Sequence, residues 1–252
     1  MAVVNARPPS KRQRRAAETR GRMLAAAYDL FVRQGYAATS MAAIAEKANV
    51  AVQTVHFTFH TKARLLVEVI EVYAAGTAGA TPVMERPWTR EALESPDPFR
   101  TLALVMEHGV DIYERIAALE PAATAAATLD GEFAVRWQAI SDGRHAGQRR
   151  VIEHLDALGA LRPGLSIDRA TDVLTTINSH AVFLSLRVRC GWELSQCKAF
   201  LFETLAIRLL EGATPLRLRK ATAGLSYAEE LAADRTPGAK PSPRARPRPQ
   251  SG

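Results

Sequence analysis

Apolar residues recur at helical spacing along most of this 252-residue chain. The first apolar face has positions i, i+3, i+4 and i+7, occupied by Leu24, Ala27, Tyr28 and Phe31. It predicts a helix over 19–34 with one side in a core. The same period predicts helices over 62–75, 99–119, 133–159, 167–190 and 195–211. No segment alternates apolar and polar residues between turn signals, as a half-buried strand would. We therefore expect an all-α fold.

Residues 39–62 contain two short predicted helices separated by a tight turn. The apolar positions of this stretch fall on one side of both helices: Met41, Ile44, Ala45, Ala48, Val50, Val55 and Phe59. Small and polar side chains are left on the outer side of the second helix. This pattern is that of a helix-turn-helix, whose second helix enters the major groove of DNA.

Local capping residues support these boundaries. Gly35 has the position of a helix stop with positive φ, and Tyr36 can fold back on the last turn. Thr39 or Ser40 can cap the next helix, and Thr61 can cap the fourth, because their oxygens accept hydrogen bonds from free amides.

The predicted DNA contacts are Thr39, Val52, Gln53, Thr54, His56, Thr58 and Lys62. Gln53 and Val52 are assigned to base edges, since Gln pairs bidentately with adenine and Val can touch a thymine methyl. His56 either reads a base or holds a phosphate. Lys62 lies in the first turn of a helix, where the free amides also attract phosphate.

The other predicted phosphate contacts are threonines, and two of them have a simpler interpretation. Thr39 can instead be a helix cap only. Thr58 can instead be a solvated hydroxyl. The sequence leaves both alternatives open.

Residues 19–66, from TRGRML to ARLL, resemble the N-terminal domain of TetR-family transcriptional regulators. The resemblance is carried by an L-F pair, a G-Y turn, a T-S cap, an I-A pair, the V-x-x-x-T-V turn and T-K followed by L-L. Asn49 stands where the family usually has Gly, and His56 and Thr58 where it usually has Tyr and often His. The resemblance implies a helix-turn-helix DNA-binding domain followed by a larger helical domain that binds a small molecule and dimerises.

Charge and composition divide the chain further. Residues 1–22 carry seven basic side chains and one acidic one, and residues 216–252 carry eight and three, although the total is only +7. The intervening residues are therefore net acidic. We expect a disordered basic arm over 1–18, the DNA-binding domain over 19–66, the helical domain over 67–213 and a Pro-rich, mostly disordered tail over 214–252. The arm can reach a minor groove or be a solubilising tail, and the tail can add DNA affinity or be merely solvated.

The helical domain holds two further sets of predicted residues. Candidate walls of an effector pocket are Phe99, Met106, His108, Tyr113, Trp137, His180 and Phe183, each of which can equally be core. Candidate dimer contacts are Val173, Ile177, Leu184, Phe200 and Leu205. Their wide apolar stripes fit a two-fold four-helix bundle between subunits or an intramolecular core. No charged cluster accompanies the pocket set, which favours a mostly apolar effector.

These observations predict a repressor that binds a palindromic operator in double-stranded DNA as a homodimer and releases it on binding an unknown small molecule. We expect no cofactor, no metal, no enzymatic activity and no membrane partner, because no apolar run approaches the roughly 18 residues that span a bilayer. Two cysteines are too few for a disulfide framework, so a cytoplasmic, nucleoid-associated bacterial protein is expected. The alternatives are a DNA-bound scaffold regulated by a partner protein, and a helical metallohydrolase that uses His56 and His60 at i, i+4.

Overall fold

The computed structural model describes residues 10–76 and 81–232, and these residues are almost entirely helical, which confirms the all-α prediction. The helices are α1 Lys11–Ala38, α2 Met41–Ala48, α3 Val52–Phe59, α4 Lys62–Ala75, α5 Pro87–Glu94, α6 Pro98–Ile116, α7 Glu120–Leu129, α8 Gly131–Ala157, α9 Ile167–Ile177, α10 His180–Leu184, α11 Leu194–Leu209, α12 Pro215–Ala221 and α13 Ala228–Ala232. Short 3-10 turns span Val83–Glu85 and Ala117–Leu119, and a π-helical turn spans Ser185–Arg189. We call α1–α4 the head and the residues from 81 onward the body.

The predicted caps of the head are confirmed. Gly35 interrupts α1 with φ of 78° and ψ of 178°, a conformation open only to glycine. Ser40, rather than Thr39, caps α2 by accepting from the Ala43 amide, and Thr61 caps α4. Asn49 ends α2 at φ of 54°, so asparagine does supply the left-handed turn between α2 and α3.

Two apolar cores organise the molecule. One lies in the body between α6, α8, α9 and α11. The other lies in the head, but it also contains residues from α7 and the start of α8: Ala122, Ala123, Ala126 and Phe133. Because alanine side chains are small, α7 can lie directly against α1. Head and body therefore share one core at their junction.

The start of α1 corrects the prediction of a disordered arm. The helix begins at Lys11, where Ser10 accepts from the Gln13 amide and the Gln13 side chain accepts from the Ser10 amide in a capping box. Residues 11–20 contain no Pro or Gly and are rich in Arg, Ala, Lys, Gln and Glu, all good helix formers. The basic segment is thus a helical extension from Lys11, and residues 1–9 lie outside the described part.

The helix predicted over 167–190 is wrong in its continuity. It breaks at Asn178 and Ser179, and Ser179 caps α10 by accepting from the Val182 amide at 3.3 Å. Asn and Ser side chains compete for backbone hydrogen bonds and so favour helix ends. A buried stripe that passes through the break concealed it in the sequence pattern.

The prediction of a tail from residue 214 is also wrong for residues 214–232, which we call the clasp. Leu218, Ala221 and Tyr227 of the clasp are buried in the body core, and the Tyr227 hydroxyl donates to the Ala103 carbonyl at 2.9 Å. These apolar residues are spaced between arginines, so the basic composition of the segment concealed them. The remainder of the predicted tail, residues 233–252, lies outside the described residues.

A buried ion network fastens the clasp to the body. Lys198 is 2% exposed, and its ammonium lies 3.0 Å from Glu107 Oε1 and 2.7 Å from Asp111 Oδ1 and donates to Ser226 Oγ at 2.9 Å. Glu107 Oε2 in turn accepts from the Ser226 amide and hydroxyl at 3.1 and 2.9 Å. Two helices, α6 and α11, and the clasp thus meet at one buried lysine.

Candidate nucleic-acid interface and effector site

The recognition helix α3 is anchored on one side only. Val55 and Phe59 are 0% and 2% exposed in the head core, whereas Gln53 and His56 are exposed. The turn before α3 is closed by hydrogen bonds from the Asn49 amide to Glu46 and from the Val50 amide to Ala45, each 3.0 Å long. The backbone of α3 is therefore fixed while its outer face is free to enter a groove.

The residues of α3 that were predicted to contact DNA differ in how accessible they are in the structure. Gln53 is fully available for a base edge. Val52 is half-buried against the head core, so only part of it can reach DNA. The Thr58 hydroxyl donates to the Thr54 carbonyl at 2.7 Å, which engages its only proton within the helix. A phosphate accepts hydrogen bonds, so Thr58 in this conformation has nothing to donate to it.

The burial of Thr39 contradicts its assignment to a phosphate, whereas Lys62 keeps one free ammonium donor and its phosphate contact stays a prediction. Thr39 is 1% exposed, and its hydroxyl donates to the Gly35 carbonyl at 2.7 Å. The Lys62 ammonium donates to the carbonyls of Tyr36 and Thr39 at 2.8 and 3.0 Å and lies 4.2 Å from the centre of the Tyr36 ring. Burial lowers the pKa of Lys62. Lys62 thus links α4 to the end of α1, where its ammonium takes the place of water as the donor to two carbonyls.

Phe57 is a surface residue of α3 that the sequence analysis missed. Its side chain is 86% exposed, the largest fraction among the exposed large apolar residues described. It follows Gln53 by four residues, so both lie on the same face of the helix. The detectable signal was this spacing, together with an aromatic residue placed off the apolar stripe.

One carboxylate joins the head to the body. Asp130 caps α8 by accepting from the Glu132 and Phe133 amides at 3.0 and 3.2 Å, and it also accepts from the Tyr36 hydroxyl at 2.5 Å. The Tyr36 hydroxyl bond lowers the pKa of Asp130. Arg64 of α4 adds an ion pair with Glu132 at 3.0 Å. The orientation of the head is thereby fixed relative to the start of α8.

Three of the predicted effector residues come together in the body. The rings of Tyr113, His180 and Phe183 lie 5.5–6.3 Å apart, centre to centre. His180 Nδ1 lies 2.8 Å from Glu120 Oε2 at the start of α7. The Tyr113 hydroxyl donates to the Asn178 carbonyl at 2.8 Å and accepts from Arg144 at 3.0 Å.

The other predicted pocket residues have different neighbours. Phe99 lies under the Arg217 guanidinium of the clasp, and His108 stacks on Trp88 of α5. Trp137 stacks on Phe133 beside the head core, and Met106 is buried in the body core. Aromatic and histidine content alone does not distinguish these positions from the Tyr113 group.

Four of the five predicted dimer residues are only half-buried on the edge of the body core: Val173, Ile177, Leu184 and Phe200. Leu205 is 0% exposed within the single chain, which corrects its assignment to an interface. It belongs to the face of α11 that packs inward. The apolar stripe of α11 is wide enough to cover two sides of the helix, and the sequence does not indicate which side faces the core of the same chain.

A head of this geometry on a helical body defines the class as helix-turn-helix DNA-binding proteins. Residues 23–69 match the family model described as bacterial regulatory proteins, tetR family. This match confirms the resemblance of the head to the N-terminal DNA-binding domain of TetR-family transcriptional regulators. Comparison with curated proteins gave no match.

Solved structures share the fold over most of the chain. NalD of Pseudomonas aeruginosa, described as the secondary repressor of the MexAB-OprM multidrug efflux pump, is 20% identical with a TM-score of 0.60 and covers 79% of this chain and 100% of its own. SmeT, described as the repressor of the Stenotrophomonas maltophilia multidrug efflux pump SmeDEF, is 18% identical with a TM-score of 0.58 and covers 78% and 94%. A TetR transcription regulator from Haloarcula marismortui is 18% identical with a TM-score of 0.57 and covers 77% and 100%.

Within residues 10–76 and 81–232, no helix combines the length and the apolar character that crossing a bilayer requires.

Proposed function

We propose that this protein is a cytoplasmic repressor that acts at the nucleoid, binds a palindromic operator as a homodimer, and releases it when a small molecule binds the body. The observation that carries the proposal is the outer face of α3, where Gln53, His56 and Phe57 are exposed on a helix anchored from behind. NalD and SmeT, which share this fold, are described as repressors, and this supports repression as the sign of regulation.

The helical extension at the start of α1 supports attraction to DNA. Lys11, Arg12, Arg15 and Arg22 are all exposed, against a single acidic residue, Glu18, in the same stretch. A rigid helix with these charges is suited to phosphates along the duplex, and such contacts add affinity that falls with salt. We assign it to sequence-independent binding in place of a minor-groove arm.

The proposed homodimer uses the half-buried apolar face of α9, α10 and α11. Val173, Ile177, Leu184 and Phe200 are packed on their inner side only, and a second copy would cover them. Val188, 67% exposed, and Ile207, 46% exposed, extend the same apolar character. A two-fold axis would then place two α3 helices at half-sites about 34–36 Å apart.

The proposed release rests on the junction between head and body. An effector that binds the body more tightly in one head orientation shifts the population toward that orientation. Glu120 begins α7 beside His180, and α7 packs on α1 inside the head core. Movement of α7 therefore changes the position of the head.

Selection of random duplex DNA on the purified full-length protein tests the proposal. We expect a palindrome to be enriched, and its binding to have a 2:1 protein-to-duplex stoichiometry. Enrichment of a single non-repeated half-site would overturn the dimeric operator. Binding without any enriched sequence would overturn sequence-specific regulation.

Replacement of Phe57 tests the missed surface residue. Phe57→Ala should weaken binding to the selected operator about 30-fold, because an apolar contact of roughly 1 kcal/mol is lost at each of the two half-sites. The melting temperature should stay constant, since the side chain is exposed in the free protein. Phe57→Tyr is the matched control and should retain most of the affinity. Unchanged operator binding by the alanine variant would show that Phe57 does not touch DNA.

A further inference from the structure

Three buried polar atoms around the break between α9 and α10 have no hydrogen-bond partner among residues 10–76 and 81–232: Gln148 Oε1, Asn178 Oδ1 and His180 Nε2. Gln148 and Asn178 are only 6% and 4% exposed. A buried polar atom without a partner loses its hydrogen bonds to water and gains none within the protein. Such atoms are therefore uncommon in folded proteins. Three of them within one part of the body call for a physical reason.

The break itself fixes the orientation of the glutamine. The Asn178 carbonyl accepts from the Tyr113 hydroxyl at 2.8 Å and from Gln148 Nε2 at 3.2 Å. Turning the Gln148 amide over would set its oxygen against that carbonyl. Nε2 therefore stays on the carbonyl, and Oε1 remains a hydrogen-bond acceptor without a donor.

Glu120 fixes the histidine in a similar way. Its Oε2 lies 2.8 Å from His180 Nδ1, so a neutral ring carries its proton on Nδ1 and leaves Nε2 as an acceptor. Burial would raise the pKa of Glu120, but the hydrogen bond and charge of His180, together with the hydrogen bond from Thr124, outweigh burial and lower the pKa. The carboxylate thus remains ionised and holds this tautomer.

We propose that these atoms are the polar end of the effector site, and that the effector is a small molecule that donates hydrogen bonds: an alcohol, an amide or an ammonium. The inference rests on the proposed function. The Tyr113 and Phe183 rings beside His180 supply an apolar wall for the remainder of the molecule. A donor-bearing effector differs from the mostly apolar one that the sequence favoured.

The site is connected to the head through His180. Its partner Glu120 is the first residue of α7, and Ala122, Ala123 and Ala126 of that helix lie in the head core. A ligand that engages Nε2 of His180 acts on the ring that Glu120 holds. Binding of the proposed donor therefore affects α7, the helix that packs against α1.

A matched aromatic series tests the chemistry of the site. Toluene, benzyl alcohol, benzamide and benzylammonium share one ring and differ in the donor they carry. Their affinities for the full-length protein are measured by thermal shift and by calorimetry. We expect at least one donor compound to bind tenfold or more tightly than toluene, because a site built for hydrogen bonds rejects the analogue that lacks them.

Gln148→Met separates recognition from folding. Methionine keeps the shape of glutamine and removes both the unpaired oxygen and the Nε2 donor. The Asn178 carbonyl keeps its hydrogen bond from Tyr113, so the melting temperature without compound should not fall substantially. The preference for donor compounds over toluene should drop several-fold. Gln138→Met, at an exposed glutamine of the same helix, should keep the full preference.

Two kinds of result would overturn the inference. One is equal binding of toluene and the donor compounds. The same conclusion follows if none of the compounds binds and a crystal structure shows only a bound water at the three atoms. The other is a donor preference that survives Gln148→Met unchanged. In either case enrichment of a palindrome by the same protein preparation would leave the proposed DNA-binding function standing.

Discussion

Lys198→Ala should lower the melting temperature by roughly 6–20 °C, because removal of one partner from a buried ion pair costs about 3–5 kcal/mol. In the variant, Glu107 loses its buried counter-ion, and the clasp loses the donor that Ser226 accepts from. Thermal denaturation followed by circular dichroism measures the loss. The clasp should also become susceptible to proteolysis near Ser226, since its attachment depends on this network.

Two comparisons isolate the cause. Lys220→Ala removes an exposed lysine from α12 and should leave the melting temperature unchanged. The double variant Lys198→Met with Glu107→Leu replaces both charges by apolar groups and should recover much of the loss. If the single and double variants lose the same amount of melting temperature, the clasp is held by the packing of the lysine side chain and not by its charge.

The same network should weaken in acid. Burial would raise the pKa of Glu107, but hydrogen bonds from Lys198 and Ser226 outweigh it and lower the pKa below its ordinary value. A carboxyl with a depressed pKa stabilises the fold above its unfolded pKa of about 4.3, and the contribution is lost as pH falls toward the folded value. The stability gap between the wild type and the apolar double variant should therefore narrow below about pH 4.

Gln53→Ala should abolish recognition of the selected operator while leaving the fold intact. A bidentate glutamine–adenine contact is worth about 1–3 kcal/mol, and two half-sites make this roughly 2–6 kcal/mol, or about 30- to 10⁴-fold in affinity. The loss should be confined to the operator, because phosphate contacts do not depend on sequence.

Titration against the operator and a scrambled duplex of equal length measures this effect. Gln138→Ala, in the body, is the matched control and should bind both duplexes as the wild type does. A parallel loss on the scrambled duplex would show that Gln53 serves the backbone, and the assignment to a base edge would fail.

The features that the sequence predicted correctly are local ones. Ser40 and Thr61 cap helices by accepting from amides three residues away, and the turn at Asn49 depends only on the φ that this one residue adopts. Each depends on a few neighbouring residues that lie together in the printed sequence. The core of the head was predictable for the same reason, because its apolar positions recur every three or four residues within each helix.

The errors and omissions come from contacts between distant residues. The Tyr227 hydroxyl of the clasp donates to the Ala103 carbonyl, 124 positions away, and the Lys62 ammonium donates to the Tyr36 carbonyl, 26 positions away. A lysine in the first turn of a helix has the pattern of a phosphate ligand, and that pattern does not show the carbonyls to which it also donates. Leu205 likewise lies on an apolar stripe whose internal side only the packed structure identifies.

The alanines of α7 limit how far the DNA-binding domain can be treated as an exchangeable module. By chain order α7 follows the head, but by packing it completes the head core. A chimaera joined between α4 and α5 would leave behind the alanines that cover α1 and the aspartate that holds Tyr36. Specificity in this protein can therefore be transplanted by substituting the face of α3, whereas transplanting the head requires carrying α7 and the start of α8 with it.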